Sequence, residues 1–294
     1  MTGNGNPSDS IDVAFVGRAN IDLTIRVPHR SRPGRTAVGS SLSSSAGGKS
    51  LNQAIAAARR GGRAALIANV GVDAWGQQIA AALIGAGVDT RHVRAIPGTT
   101  TGAAIIEVTP DGESYITLAL SPATELTAND IHQATTGLAT RAVVAQLDLP
   151  PEPVAALLGQ RRAPVVIGNL IPHPDLDPAV LRHLDVLVVN QHEAAAILHT
   201  SIDSPLDAAT ALQRLGPRTV VVTAGPHGAA YTHPHGSGTV PAPAVQVIDT
   251  TGAGDAFLGS LALGLARHTP LPDAITAAVH AGSDTVQHAG AVLT

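Results

Sequence analysis

Short, continuous runs of apolar and β-branched residues recur along the chain, each followed by an Ala- and Leu-rich stretch of helical length. Residues 13–17, 65–70, 142–147, 164–168, 186–189 and 218–223 read as strands. Their apolar positions do not alternate with polar ones, as expected of strands covered on both faces in a parallel sheet. Residues 49–60, 75–85, 153–161, 191–199, 206–215, 252–267 and 273–287 read as helices between them. This βα succession predicts an α/β fold with helices packed on a mostly parallel central sheet.

Two regions break the rhythm. Residues 21–27, 40–45, 103–109 and 114–120 look like alternating strands, and Pro110-Asp111-Gly112-Glu113 between the last two is a hairpin turn signal. These segments predict a small β-sheet built from two insertions, about 18–46 and 98–122, standing off the main sheet as a lid over a cleft. Neither an internal repeat nor a long linker is apparent. The expectation is one domain over residues 11–294, preceded by a disordered polar tail at 1–10.

Composition narrows the function. Of 294 residues, 44% are hydrophobic and 14% charged, with a net charge of -4. Without a basic block, nucleic acid and membrane surfaces are excluded as partners, and a small molecule fits better. No apolar run is long enough to span a bilayer. There are no cysteines, so disulfides and thiolate chemistry are absent, and the expected compartment is the cytoplasm. Lys49 is the single lysine of the chain, and it falls in Gly47-Gly48-Lys49-Ser50-Leu51-Asn52-Gln53. There a flexible point charge suits a phosphate or hydroxyl.

Asp249-Thr250-Thr251-Gly252-Ala253-Gly254-Asp255 carries the strongest chemical signal, since small residues before a helix let first-turn N–H groups approach an anion. Asp255 at that helix start would accept a proton from an attacking hydroxyl while Gly252, Ala253 and Gly254 hold the phosphoryl group. The alternative is a carboxylate that only complements the helix dipole. Gly48 fails the spacing of a P-loop, because the position five before it is Ser43. The paired glycines instead suggest a close backbone approach, with Lys49 and Asn52 directed at a ligand, or a plain helix entry.

Asn20 and Asp22 fall on one side of an extended chain and could hold neighbouring sugar hydroxyls, or make a turn. Asn190 and Glu193 could reach water around nucleotide-bound Mg²⁺, and they also have the form of a capping box. Thr223, Gly225 and Gly228 lie in a Gly-rich turn after a strand, suited to nucleotide phosphates or to a reversal. The histidines form no metal-binding spacing, and hydrolase and dinucleotide motifs are absent.

Taken in order, Gly17-Arg18-Ala19-Asn20-Ile21-Asp22, the Gly47 to Gln53 segment, Asn190-Gln191-His192-Glu193, Thr223-Ala224-Gly225 and the Asp249 to Asp255 segment resemble the ribokinase-like, or phosphofructokinase B, family of carbohydrate kinases. The resemblance spans about residues 11–291. It implies a three-layer α/β/α fold with a β-sheet lid that also forms a homodimer contact. It also implies ATP as phosphoryl donor, Mg²⁺, and a sugar or nucleoside as acceptor.

By the same resemblance Asp255 is the base, and Asn20, Asp22, Gly48, Lys49, Asn52 and Asp148 are sugar contacts. Asn190 and Glu193 belong to the Mg²⁺ network, while Thr223, Gly225, Gly228 and His280 are nucleotide contacts. Asp249 and Thr251, with the loop around Ala289-Gly290-Ala291, correspond to a K⁺ site. The motif form is closest to ribokinases, with two departures at the sugar: Ser50-Leu51 between Lys49 and Asn52, and Asp148 where those kinases usually carry Glu.

Overall fold

A computed structural model describes residues 10–160, 163–169, 175, 177–288 and 290. Nearly all of the expected tail, residues 1–9, lies outside the described residues, as do Ala289 and Ala291 of the expected K⁺ loop.

The chain begins with β1 (Ile11–Val16), β2 (Asn20–Arg26), β3 (Ser41–Gly47) and α1 (Lys49–Arg59). It continues through β4 (Ala64–Gly71), α2 (Ala74–Gly85), β5 (Val93–Ile96), β6 (Ala103–Val108) and β7 (Ser114–Ala119). Then come α3 (Ala128–Thr135), β8 (Thr140–Gln146), α4 (Pro151–Gln160), β9 (Val165–Asn169), β10 (Val186–Asn190) and α5 (Gln191–Leu198). The last part holds α6 (Pro205–Gln213), β11 (Thr219–Thr223), β12 (Ala229–His233), β13 (Gly236–Val240), α7 (Ala253–Ala266) and α8 (Leu271–Thr285).

Nine strands form the main sheet in the order β13-β12-β11-β10-β9-β8-β1-β4-β5. From β11 to β5 all neighbours are parallel, and β12 and β13 add an antiparallel edge. Along β1 the apolar run feeds both sides. Val13 and Phe15 pack in a core with α1, α2, α7 and α8, and Ala14 and Val16 in a second core with α3 to α6. Strands buried on two faces have no polar positions to alternate, which is why their sequences are continuous.

The two insertions form a second sheet in the order β3-β2-β6-β7. β2 pairs in parallel with β6, Ile21 lying opposite Ala103, so this pairing joins the two insertions. Asp73 anchors the return into β6. Its carboxylate caps α2 by accepting from Gly76 N–H at 2.7 Å and also accepts from Thr101 N–H at 2.8 Å.

Candidate active site

β1, β8, β10 and β11 point the same way, and their carboxyl ends deliver Gly17 to Asn20, Gln146 to Asp148, Asn190 and Thr223 to one side of the sheet. Ligands of open parallel sheets bind at that end.

α1 starts directly after β3 at Gly48, whose φ of 97° suits glycine alone. A methyl group on Gly48 would lie 2.7 Å from Arg18 O and 2.8 Å from Asn20 Oδ1, and one on Gly47 would lie 2.2 Å from Asp22 Oδ2. The paired glycines thus let this turn press against β2. There Asn20 Nδ2 donates to Asp22 Oδ1 at 2.7 Å. Burial pushes the Asp22 carboxyl up, the Asn20 bond opposes it, and the charge of nearby Asp255 adds to the rise.

α7 starts at Gly252, left-handed at φ 78°, and no side chain caps it. Its first intrahelical bond runs from Ala256 N–H to Gly252 O at 2.8 Å, so the Gly254 and Asp255 amides precede the ladder and face outward from the helix end. Of the amides expected at an anion hole, that of Ala253 turns back to Thr250 O at 3.3 Å. Gly259, one turn on, brings α7 against α1: a methyl group there would lie 2.5 Å from Gln53 O. This close approach sets two amide side chains on Asp255. Asn52 Nδ2 donates to Oδ2 at 3.2 Å, and Gln53 Nε2 donates to Oδ1 at 3.0 Å.

Lys49 stands among three carboxylates. Burial pushes Asp148, Glu193 and Asp255 up, and in each case the Lys49 ammonium opposes the rise. The role of base expected of Asp255 needs a deprotonated carboxyl, so on that expectation activity should fall as pH drops through the raised Asp255 value. Replacing Lys49 with Met removes the largest influence holding that value down. The acid limb of the kcat/KM profile should therefore move to higher pH, and a limb that stays put would separate Lys49 from the base.

Among the described residues, five buried side-chain atoms lack a hydrogen-bond partner: Ser50 Oγ, Asn52 Oδ1 and Gln53 Oε1 on α1, Asp148 Oδ1 after β8, and Asn69 Oδ1 on β4. Such atoms are costly unless a ligand or water satisfies them. Asp148 is held by Arg18, which donates from Nη1 to Asp148 Oδ2 at 2.8 Å and from Nη2 to Asp148 O at 3.1 Å. The other edge of the guanidinium grips Glu125, through Nε at 2.7 Å and Nη2 at 2.9 Å.

Asn190 and Glu193 form the capping box in full. Asn190 Oδ1 accepts from Glu193 N–H at 2.8 Å, and Glu193 Oε2 accepts from Asn190 N–H at 2.9 Å. Glu193 also feels Asp148 and Asp255, so the cap faces the cleft. Thr223, opposite Asn190 in the sheet, donates through Oγ1 to Val189 O at 3.5 Å. Gly225, at φ 52°, has open space around it, whereas Gly228 is buried and a methyl group there would lie 2.0 Å from Val240 O. Packing alone accounts for Gly228. His280 is exposed on α8, with no hydrogen bond or ion pair to the other site residues among those described.

Asp249 accepts from Thr251 N–H at 2.9 Å and from Gly290 N–H at 2.9 Å. Burial pushes its carboxyl up, but the bonds from Thr251 and Gly290 outweigh burial and leave it below the ordinary range.

Residues 10–294 match the family model described as pfkB family carbohydrate kinase. The chain belongs to that family. A ribokinase of Schizosaccharomyces pombe is 32% identical over 298 residues, covering 96% of this chain and 93% of its own. A ribokinase of Haemophilus influenzae is 30% identical over 285 residues, covering 95% and 93%. Among solved structures, a ribokinase of Cryptococcus neoformans in complex with ADP matches with a TM-score of 0.77 at 30% identity, covering 96% of each chain. The protein is thus a ribokinase-like sugar kinase of the pfkB family.

Several residues of this kinase's cleft escaped sequence reasoning. Gln53 sat inside a motif without a role, although it lies one position beyond Asn52 on the same helix. Arg18 likewise stood unassigned in its motif, and Glu125 carried no local signal. Gln146 fixes the β1 exit by accepting from Arg18 N–H at 2.8 Å. A methyl group on Gly17 would lie 2.0 Å from Gln146 Oε1, so that glycine serves this contact.

Proposed function

We propose that this kinase transfers the γ-phosphoryl group of ATP to a hydroxymethyl group of ribose or a related pentose, with Asp255 as the base. The observation that carries the reading is the half-buried Asp255 carboxylate, held by Asn52 and Gln53 at the open start of α7. The acceptor hydroxyl gives its proton to Asp255, its oxygen bonds to the γ-phosphorus, and the bond to the β-phosphate oxygen breaks to release ADP. First-turn amides at Gly254 and Asp255 hold the transferring oxygens, while Lys49 offsets their charge.

Asn20 and Asp22 supply a paired donor and acceptor for adjacent hydroxyls, with the Gly48 backbone, Asn52 and Asp148 beside them. Ribose is favoured by the likeness to two ribokinases along nearly their whole length. ATP as donor is supported by the ADP bound to the C. neoformans relative. Thr223 and Gly225 at the end of β11 then face the nucleotide, with Gly228 shaping their turn and His280 the outermost contact.

Mg²⁺ suits this donor set because it keeps several waters and binds through one or two carboxylates plus substrate phosphates. Glu193, with Asn190, would reach those waters, and the ion would neutralise phosphate charge. A K⁺ ion would be held by Asp249 and Thr251 with the loop around Ala289-Gly290-Ala291, of which Gly290 alone is described.

The small sheet serves as a lid in this reading, since β2 carries Asn20 and Asp22 over the cleft. The kinase is further read as a cytoplasmic homodimer through that sheet. Ile116 and Leu118 are 61% and 54% exposed there, and the register puts them on the face of Ile106.

ADP release across pentoses, hexoses and nucleosides tests the function. Ribose or another pentose should give the highest kcat/KM. A flat panel despite tight sugar binding would instead identify a non-catalytic sensor. Preference for a nucleoside would replace the sugar, against a chain with only 2% aromatic residues to stack a second base.

A further inference from the structure

The Arg18 guanidinium has five N–H groups in a fixed plane. Nε and one N–H of Nη2 go to Glu125, the second N–H of Nη2 goes to Asp148 O, and one N–H of Nη1 goes to Asp148 Oδ2. One N–H remains, on Nη1, the nitrogen that touches the Asp148 carboxylate. Across that carboxylate, Oδ1 is buried and has no partner. One free donor and one unpartnered acceptor thus belong to the same ion-paired frame. The Arg18 carbonyl lies against Gly48 at the start of α1, the helix whose Asn52 and Gln53 bond Asp255, which puts the frame beside the proposed base, and Lys49 acts on both Asp148 and Asp255.

A secondary hydroxyl is the sugar group that satisfies both at once, accepting from Arg18 and donating to Asp148. We propose that Arg18 is a specificity-determining residue of this kinase, reading one secondary hydroxyl of the acceptor sugar jointly with Asp148. The proposal rests on the pentose reading above. Glu125, which immediately follows the small sheet and its connecting turn, holds the opposite edge of the fork and so positions Arg18 without touching the sugar. A lysine in place of Arg18 has no planar fork with which to bind both acids.

The test compares kcat and KM for ribose and its 1-, 2- and 3-deoxy analogues at saturating Mg-ATP, in wild type and Arg18→Met. Wild type should disfavour one analogue by about 10- to 100-fold in kcat/KM, the range of a hydrogen bond to charged groups. Most of that should lie in the sugar KM. Arg18→Met should bring this ratio toward one, by losing activity on ribose and little on that analogue, with the KM for ATP unchanged. Equal loss on every sugar, an unchanged ratio, or a wild type indifferent to every deoxy position would overturn the proposal. If Arg18→Met does not fold by circular dichroism, Glu125→Gln, which loosens the far edge of the fork, should lower the same ratio, and an unaltered ratio there is equally fatal. A wild type inactive on every pentose overturns the pentose reading, and this proposal with it, and is told apart by the absence of any rate to compare.

Discussion

Asp255→Asn should lower turnover by about 10²- to 10⁴-fold, the usual contribution of a positioned base, while ATP affinity is retained. The substitution should also fold. Asn52 and Gln53 both donate to the carboxylate, and the new amide would place an N–H₂ where an acceptor stood. Both neighbours, however, hold an unpartnered oxygen, Asn52 Oδ1 and Gln53 Oε1, so rotation of either amide restores the pairing. Removing a buried charge further favours the folded state, because burial is the largest influence on this carboxyl and pushes it toward the neutral form. Turnover at increasing pH, with a thermal melt and an ATP titration as controls, makes the check. Turnover equal to wild type would remove Asp255 from the chemistry. The acid limb assigned to this group should vanish with it.

Gly48→Ala should be damaging for a different reason. At φ 97° and ψ 136° its backbone lies in a region open to glycine but sparsely populated by other residues, which costs an alanine about 1–3 kcal/mol, and the added methyl would meet Arg18 O at 2.7 Å. A backbone carbonyl cannot rotate away, so β2 and α1 must separate. Asn20 lies on one side of that contact and Lys49 on the other, and a displacement near 1 Å in a site of this kind costs about 10²-fold in rate. The expected result is a kcat/KM for the sugar reduced by about that factor, with a melting temperature lower by about 2–8 °C. A variant that keeps both would show that the turn has slack which the short contacts deny. Gly85, which has open space around it, is the control position.

The elements legible from sequence are those that physics over-determines. β1, β4, β8, β10 and β11 are apolar on both faces and announce themselves, and the turn after Pro110 marks the β6–β7 hairpin. β5 is four residues long with its middle pair exposed, α3 is built from mostly polar residues, and β12 and β13 form a Gly- and Ser-containing edge hairpin. None of these carries a period long enough to read.

At the site, residues that share a turn or a helix face were readable because their spacing is itself the geometry: Lys49 with Asn52, or Gly252 with Asp255. The Arg18 network was not, since its partners are 107 and 130 positions away and no local pattern joins them. The Asn190 and Glu193 pair shows a third case. Its spacing announces a cap, which forms, yet only the folded chain brings that cap within reach of Lys49.

The parallel pairing of β2 with β6 bears on the order in which the protein assembles. β2 is made early, but its partner belongs to an insertion that follows β4, α2 and β5, and closing so long a loop is slow compared with forming a hairpin. On the ribosome, Asn20 and Asp22 therefore wait for β6 before they gain a fixed frame. Both partners of β2, β3 and β6, are nonetheless made before β8, β10, β11 and α7, so a nascent chain can complete the small sheet while most of the central one is still to be synthesised.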